Sequence, residues 1–94
     1  MEKTYRIILS HEQSGYTVFV PDFESGTQGT DLADAMYMAR DLIGIMGTTL
    51  QDIGKDIPAP GTAEYVPKNN EIVTYVNVDF REYRRKNNNK EESR

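Results

Sequence analysis

The sequence predicts an α+β fold, a two-layer sandwich in which a three- or four-stranded, mainly antiparallel sheet carries one main helix on one face. Two segments near the amino terminus are rich in β-branched and aromatic residues and lie on either side of a polar turn. One long stripe of apolar residues at helical spacing follows, and another β-rich segment comes after it. Together with a short third strand this gives the order β-β-β-α-β.

The first two strands are predicted over residues 4–10 and 16–20. A polar loop of about five residues joins them, and Gly15 can adopt the backbone conformation that a reversal of the chain requires. Pro21 ends the second strand because proline cannot donate a hydrogen bond to a sheet. The turn-rich segment that follows predicts a short third strand around Thr27.

The helix is the clearest predicted element. Asp31 suits the N-cap position, and an acidic residue at Asp34 favours the positive end of the helix dipole. Gly44 and Gly47 each cost about 1 kcal/mol relative to alanine inside a helix. They indicate a bend, a close approach of the sheet or two separate helices. The predicted buried stripe consists of Leu32, Ala35, Met36, Ala39, Leu42, Ile43, Met46 and Leu50.

The last strand is predicted over residues 71–80 and carries apolar groups on both faces. Ile72 belongs to the face turned towards the helix, whereas Val73 and Tyr75 belong to the opposite face. We expect a second subunit to cover that opposite face, which makes Val73 and Tyr75 the predicted interface of a homodimer. No apolar residue follows Tyr83. The prediction is therefore a folded domain over residues 1–83 and a basic or polar linker, or disordered tail, over residues 84–94.

Charge is divided unevenly along the chain. Residues 1–80 carry five basic and twelve acidic side chains, a net charge of −7, whereas residues 81–94 have a net charge of +3. An acidic body repels nucleic acid phosphates and attracts basic proteins.

The 94 residues fit one domain, lack cysteine and contain no apolar run approaching the ~20 residues that span a bilayer. Without a recognisable signal peptide, the expected location is the cytoplasm.

Catalytic chemistry has few candidate residues. His11 is the only histidine and so the sole candidate base for serine chemistry, but it is predicted in a solvated turn that supplies no partner for it nearby in sequence. A metal-dependent nuclease needs only carboxylates, and Asp22, Asp31 and Asp79 are the candidates for such a site. Since Asp31 already serves as a helix cap and Asp22 follows a proline in a turn, the sequence favours a protein that is not an enzyme and needs no cofactor or metal.

Several short motifs, taken in order, resemble the HicB family of antitoxins. The segment 73–84 is also similar to the last strand and exit segment of such proteins. The resemblance covers residues 4–86 and implies a partial RNase-H-like fold without nuclease activity, which binds and neutralises a small basic mRNA-cleaving toxin of the HicA family. The motifs are Gly15-Tyr16-x-Val18, Pro21-Asp22-Phe23, Thr27-Gln28-Gly29, Asp31-Leu32-Ala33-Asp34-Ala35 and Ile57-Pro58-Ala59-Pro60.

The resemblance also suggests where partners bind. The family pattern is densest at the acidic turn formed by Asp22, Phe23 and Glu24, which is the predicted toxin contact. In the family a ribbon-helix-helix or helix-turn-helix segment usually follows this domain and allows autoregulation of transcription. No further apolar pattern follows here, so DNA binding is expected only through a carboxyl-terminal module that is not evident in this chain. A scaffold that merely oligomerises such a module is the alternative.

Overall fold

A computed structural model describes the backbone of residues 1–92 and the side chains of residues 1–87. It confirms the predicted α+β sandwich, since one antiparallel sheet with the strand order β3-β2-β1-β4 packs against one long helix. The strands are β1 (Glu2–Glu12), β2 (Gly15–Val20), β3 (Ser25–Gly29) and β4 (Glu71–Asp79), and the helices are α1 (Leu32–Asp52) and α2 (Phe80–Glu92).

The turn between β1 and β2 is tighter than the sequence predicted. Only two residues separate the strands, because Glu12 pairs with Gly15 and His11 pairs with Tyr16. His11 is therefore an exposed strand residue, whose ring lies 4.9 Å from that of Tyr16 between centroids. The prediction of a five-residue loop was wrong. The strand ends beside the turn are polar and exposed, so they lack the alternation of apolar side chains from which a strand is recognised.

Helix α1 begins as predicted and runs without interruption. The Asp31 carboxylate accepts a hydrogen bond from the Asp34 N–H at 2.8 Å, which is the expected N-cap contact. Leu32 is the exception in the predicted stripe, since it is 49% exposed in the first turn of the helix. The face of the sheet that α1 covers, hereafter the helix face, is apolar. The core between this face and the helices consists of Tyr5, Ile7, Leu9, Val18, Val20, Phe23, Ala35, Ala39, Ile43, Val76, Val78 and Phe80.

The two glycines inside α1 accommodate aromatic rings. An added Cβ at Gly47 would overlap the Phe80 ring, and one at Gly44 would overlap the Tyr83 ring. The close approach that the sequence indicated is thus made by aromatic side chains of α2 rather than by the sheet. Phe80 also packs edge-on against Tyr5, with ring centroids 6.4 Å apart. Such an aromatic pair contributes about 0.5–1.5 kcal/mol beyond the burial of its surface.

The carboxyl-terminal segment corrects the predicted boundary. Residues 80–92 form helix α2, so Phe80 starts a helix rather than ending the predicted strand 71–80. The division into a domain over residues 1–83 and a linker from residue 84 stays a prediction. The Asp79 carboxylate caps α2 by accepting the N–H groups of Arg81 and Glu82, both at 3.1 Å. Arg84 then donates to the Thr48 carbonyl at 3.2 Å. This polar contact adds to the packing of the Phe80 and Tyr83 rings against α1, and apolar periodicity does not reveal a contact of this kind. The tail prediction for residues 93–94 lies outside the described residues.

Neither α1 nor any other helix in residues 1–92 combines the length and apolar character needed to cross a membrane.

Candidate protein-binding surface

Strand β4 forms one edge of the sheet and exposes large apolar side chains. Its nine residues pair with β1 on one side only. Tyr75 is 60% exposed, Ile72 47% and Val73 38%. A long, flat edge with exposed apolar residues is a site where another strand can add, and proteins normally protect such edges with charge, bulges or covering segments. Strand β4 is therefore the part of the sheet best suited to bind another protein.

The hydrogen-bond pattern of the sheet determines which backbone groups of β4 are free. Glu12 and Gly15 close a two-residue hairpin, so this pair exchanges hydrogen bonds and alternate residues of β1 point towards β2. The remaining residues of β1, such as Ile7, then bond to β4 through Thr74 and its even-numbered neighbours. The N–H and C=O groups of Val73 and Tyr75 consequently point away from β1, towards the open edge.

The face of the sheet opposite α1, hereafter the outer face, is covered in part by residues 58–67, hereafter the covering loop. Ile8 lies on this face and is only 1% exposed. The Tyr65 ring of the loop packs against Phe19 with centroids 5.3 Å apart. Arg6 donates to the Tyr65 carbonyl at 3.1 Å and to the Ala63 carbonyl at 3.4 Å. These contacts bury Ile8 of β1 but leave Phe19 of β2 36% exposed, and Val73 and Tyr75 lie exposed beside the loop.

Asp22 holds the covering loop at its start. Its carboxylate accepts hydrogen bonds from the Gly61 N–H at 2.8 Å and the Ala63 N–H at 2.9 Å. Tyr5 adds a contact from the core, because its hydroxyl donates to the Pro58 carbonyl at 2.6 Å. Burial, with a smaller contribution from Asp22, raises the pKa of Tyr5 to about 12. The loop is thus attached to the domain by hydrogen bonds rather than by a core of its own.

The three residues of the predicted toxin contact lie in different environments. Asp22 is half-buried and occupied by the covering loop, and Phe23 is 7% exposed and packs edge-on against Tyr5, with ring centroids 5.1 Å apart. Glu24 is exposed and has a left-handed backbone conformation, with φ of 49°. Glu24 is thus the exposed residue of the three, whereas the Asp22 carboxylate is engaged by the covering loop. Their role in binding stays a prediction.

Glu71 fixes the other end of the covering loop. Its carboxylate accepts hydrogen bonds from the Lys68 N–H at 2.8 Å and from the Tyr65 hydroxyl at 2.9 Å. The Lys68 N–H, followed by the Tyr65 hydroxyl, lowers the pKa of Glu71 below its usual value of 4.5. Sequence reasoning missed this contribution of Tyr65 and Glu71. Phe19 could have indicated a covered outer face, since it alternates with Val18 and Val20 in β2.

The carboxylates of the alternative nuclease site serve separate structural purposes. Asp22 holds the covering loop, Asp31 caps α1 and Asp79 caps α2. Among the residues whose side chains are described, no three histidine, cysteine, aspartate or glutamate side chains form a group that could hold a metal ion. Asp22, Asp31 and Asp79 are not brought together, so the geometry that the nuclease hypothesis required is not found.

Comparison with solved structures identifies chains of the same fold. A chain of "Toxin-Antitoxin complex from Streptococcus pneumoniae" matches with a TM-score of 0.73 and 24% sequence identity, over 88% of this chain and 73% of that one. A chain of "HicA3 and HicB3 toxin-antitoxin complex" matches with a TM-score of 0.62 and 20% identity, over 81% of this chain and 98% of that one. No protein-family model and no curated protein matches the sequence. At these identities the comparisons establish the shared fold.

Proposed function

We propose that this chain is an antitoxin-type binding module, which neutralises a small basic mRNA-cleaving toxin of the HicA family and catalyses no reaction itself. The fold match over 88% of the chain to a component of a toxin–antitoxin complex carries this proposal. The HicB-like motifs lie on the matched scaffold as turns and helix entry, since Pro21–Phe23 forms a 3-10 turn and Asp31 caps α1.

The charge of the chain supports a basic partner. Residues 1–80 carry a net charge of −7, and these residues form the whole sheet and α1. A ribonuclease that binds RNA needs a basic surface, and an acidic protein competes for that surface. Complementary charge raises the association rate and favours the correct partner more than it raises affinity. Nucleic acid is a poor partner for this body for the same reason.

The acidic turn is the proposed toxin contact, with different roles for its residues. Glu24 is exposed at the end of the β2–β3 connection and can reach a basic side chain of the toxin. Phe23 is part of the core and Asp22 holds the covering loop, so both act by positioning the turn. An exposed ion pair of this kind contributes about 0.2–1 kcal/mol on its own. We therefore expect Glu24 to contribute modestly to a larger contact.

An RNA-cleavage assay tests the proposal. A small basic protein is taken from a reading frame adjacent to this one, where the genome carries such a frame, and is incubated with an mRNA substrate and increasing amounts of this chain. Cleavage is expected to stop at stoichiometric addition. Continued cleavage in excess of the chain would contradict the proposal. HicA3 serves as a second toxin, and weaker inhibition of HicA3 would indicate selectivity for the cognate partner.

A matched pair of charge reversals tests the contact. Glu24→Lys is compared with Glu12→Lys, which changes an exposed glutamate at the opposite end of the β1–β2 hairpin. Both change the net charge equally, so only a local contact separates them. Glu24→Lys is expected to slow toxin association more than Glu12→Lys, measured by surface plasmon resonance at low and high salt. If both variants slow association equally, the toxin contact lies elsewhere on the chain. That outcome would not bear on whether the chain inhibits RNA cleavage, which the first assay measures.

A further inference from the structure

We propose that β4 pairs in antiparallel orientation with β4 of a second copy of this chain, so that Val73 of each copy lies opposite Tyr75 of the other. The pairing would join the two sheets into one continuous sheet of eight strands. It is independent of toxin binding, because the acidic turn lies between β2 and β3, on the other side of β1 from β4. Three properties of β4 carry the proposal: its free backbone groups, its exposed side chains and the position of its charges.

The free backbone groups restrict the possible registers. Only Val73, Tyr75 and the other odd-numbered residues of β4 direct N–H and C=O groups to the open edge, as the ladder with β1 requires. In a symmetric antiparallel pair these residues must lie opposite one another. The two-fold axis must then pass through a residue position rather than between two residues. A few registers remain, centred on Val73, Thr74, Tyr75 or Val76.

Charge and side-chain pairing select one of these registers. A pair centred on Tyr75 would place Glu71 opposite the second copy's Asp79, and like charges directly opposite one another are destabilising. A pair centred on Val76 would place Val73 opposite the second copy's Asp79, and one centred on Val73 would place Tyr75 opposite the second copy's Glu71. Both of these pair an exposed apolar side chain with a carboxylate.

The register centred on Thr74 avoids these conflicts. It places Val73 opposite the second copy's Tyr75 twice by symmetry, and pairs of aromatic and β-branched residues are favourable across strands. On the helix face it places Ile72 opposite Val76 and Thr74 opposite itself. Glu71 meets the neutral Asn77. The exposed apolar residues of the edge, Ile72, Val73 and Tyr75, are thus all paired with uncharged residues.

Disulfide cross-linking tests the register. The chain has no cysteine, so a single cysteine variant gives one defined product. Thr74→Cys would place two cysteines across the two-fold axis in a non-hydrogen-bonded pair, where Cα atoms lie about 4.5 Å apart and a disulfide can form. We expect Thr74→Cys to form a covalent dimer under mild oxidation at least tenfold faster than Ser14→Cys, which has an exposed cysteine at the β1–β2 turn. Faster cross-linking of Tyr75→Cys than of Thr74→Cys would overturn the register.

Sedimentation of the unmodified chain tests the dimer itself. Wild type is expected to sediment as a dimer that dissociates on dilution, and Tyr75→Pro as a monomer. The N–H of Tyr75 points to the open edge, so proline there removes no hydrogen bond to β1. Circular dichroism and a melting curve check that Tyr75→Pro is folded, and Tyr75→Lys, expected to weaken association roughly tenfold, provides a second variant that keeps the backbone intact.

Two results would overturn the proposal. One is a wild-type monomer at the highest attainable concentration. The other is a monomer whose Thr74→Cys variant cross-links only to a cysteine-bearing toxin, which would make a toxin strand the occupant of the edge. Because wild type is measured without toxin, failure of the dimer leaves the proposed inhibition of RNA cleavage untouched, and failure of inhibition leaves the dimer untouched.

Discussion

The helix face and the outer face of the same sheet are covered by different kinds of interaction. On the helix face, α1 and α2 bury a continuous set of aliphatic and aromatic side chains with no polar or charged residue among the buried ones described. On the outer face, the covering loop is held mainly by hydrogen bonds that Arg6 donates and that the Asp22 and Glu71 carboxylates accept. The difference indicates that α1 and α2 provide most of the stability, whereas the covering loop decides how much of the outer face is exposed.

The largest expected effect comes from the helix face. Phe80 is 1% exposed and fills the space above Gly47, so Phe80→Ala is expected to lower the free energy of unfolding by about 3–5 kcal/mol. Gly47→Ala alone is expected to destabilise by about 1–3 kcal/mol, because the added methyl group overlaps the Phe80 ring. Chemical denaturation of both single variants measures these changes.

The double variant sharpens this prediction. In the Phe80→Ala background the ring is gone, so Gly47→Ala fills part of the cavity and gains about 1 kcal/mol of helix propensity. We expect the substitution to change from destabilising to stabilising. If Gly47→Ala has the same sign in both backgrounds, Gly47 does not accommodate Phe80 in the way the packing indicates.

A smaller and local effect is expected on the outer face. Asp22→Ala removes the acceptor for the Gly61 and Ala63 N–H groups. Because water can replace the carboxylate at this surface site, the net loss is about 0.5–1.5 kcal/mol for each hydrogen bond. Amide hydrogen exchange at Gly61 and Ala63 is expected to accelerate by at least about tenfold, while exchange in β1 stays slow. Glu24→Ala, which changes the neighbouring exposed carboxylate, is the control and should leave both amides protected. Unchanged exchange in Asp22→Ala would show that the loop is held by other contacts.

The same comparison explains what the sequence could predict. Helix α1 and the alternation of β4 were predictable because each is a periodic pattern of apolar residues that a single face must bury. Asp22 could be recognised only as an acidic turn residue, because its partners Gly61 and Ala63 lie about 40 residues further along the chain and such a contact has no period. The outer face was therefore expected to be covered by a second subunit, whereas the covering loop already shields Ile8 and leaves Val73 and Tyr75 of β4 exposed.

The boundary at β4 was missed for a different reason. Phe80 continues the alternation of Val76 and Val78, so periodicity alone extends the strand. The pattern Asp79-x-x-Glu82 is nevertheless a helix-start signal, because an acidic N-cap followed three residues later by glutamate satisfies the first free N–H groups of a helix. Charged residues of α2 then make their own contacts, since Arg84 pairs with Asp52 of α1 at 3.1 Å and Arg85 pairs with Glu82 within α2. A local capping signal would thus have corrected the boundary that periodicity set too late.

The smallest expected effect is the pH response of the outer face. The pKa of Glu71 is lowered by the Lys68 N–H and the Tyr65 hydroxyl, so its ionised form stabilises this end of the covering loop. The contribution is fully present above the unfolded pKa of about 4.5 and is lost as the pH falls through the lower folded pKa. Because the carboxylate is partly exposed, solvent screening keeps the contribution small.

NMR titration of the Glu71 side chain is expected to give a midpoint below 4.5. The Tyr65→Phe variant is expected to raise that midpoint, because it removes one hydrogen-bond donor to the carboxylate. The helix face has no titrating carboxylate among its buried residues, so Val76 and Ile7 amides should stay protected over the same pH range. A Glu71 midpoint at or above the ordinary value, or loss of protection on both faces together, would remove the distinction between a core held by packing and a loop held by hydrogen bonds.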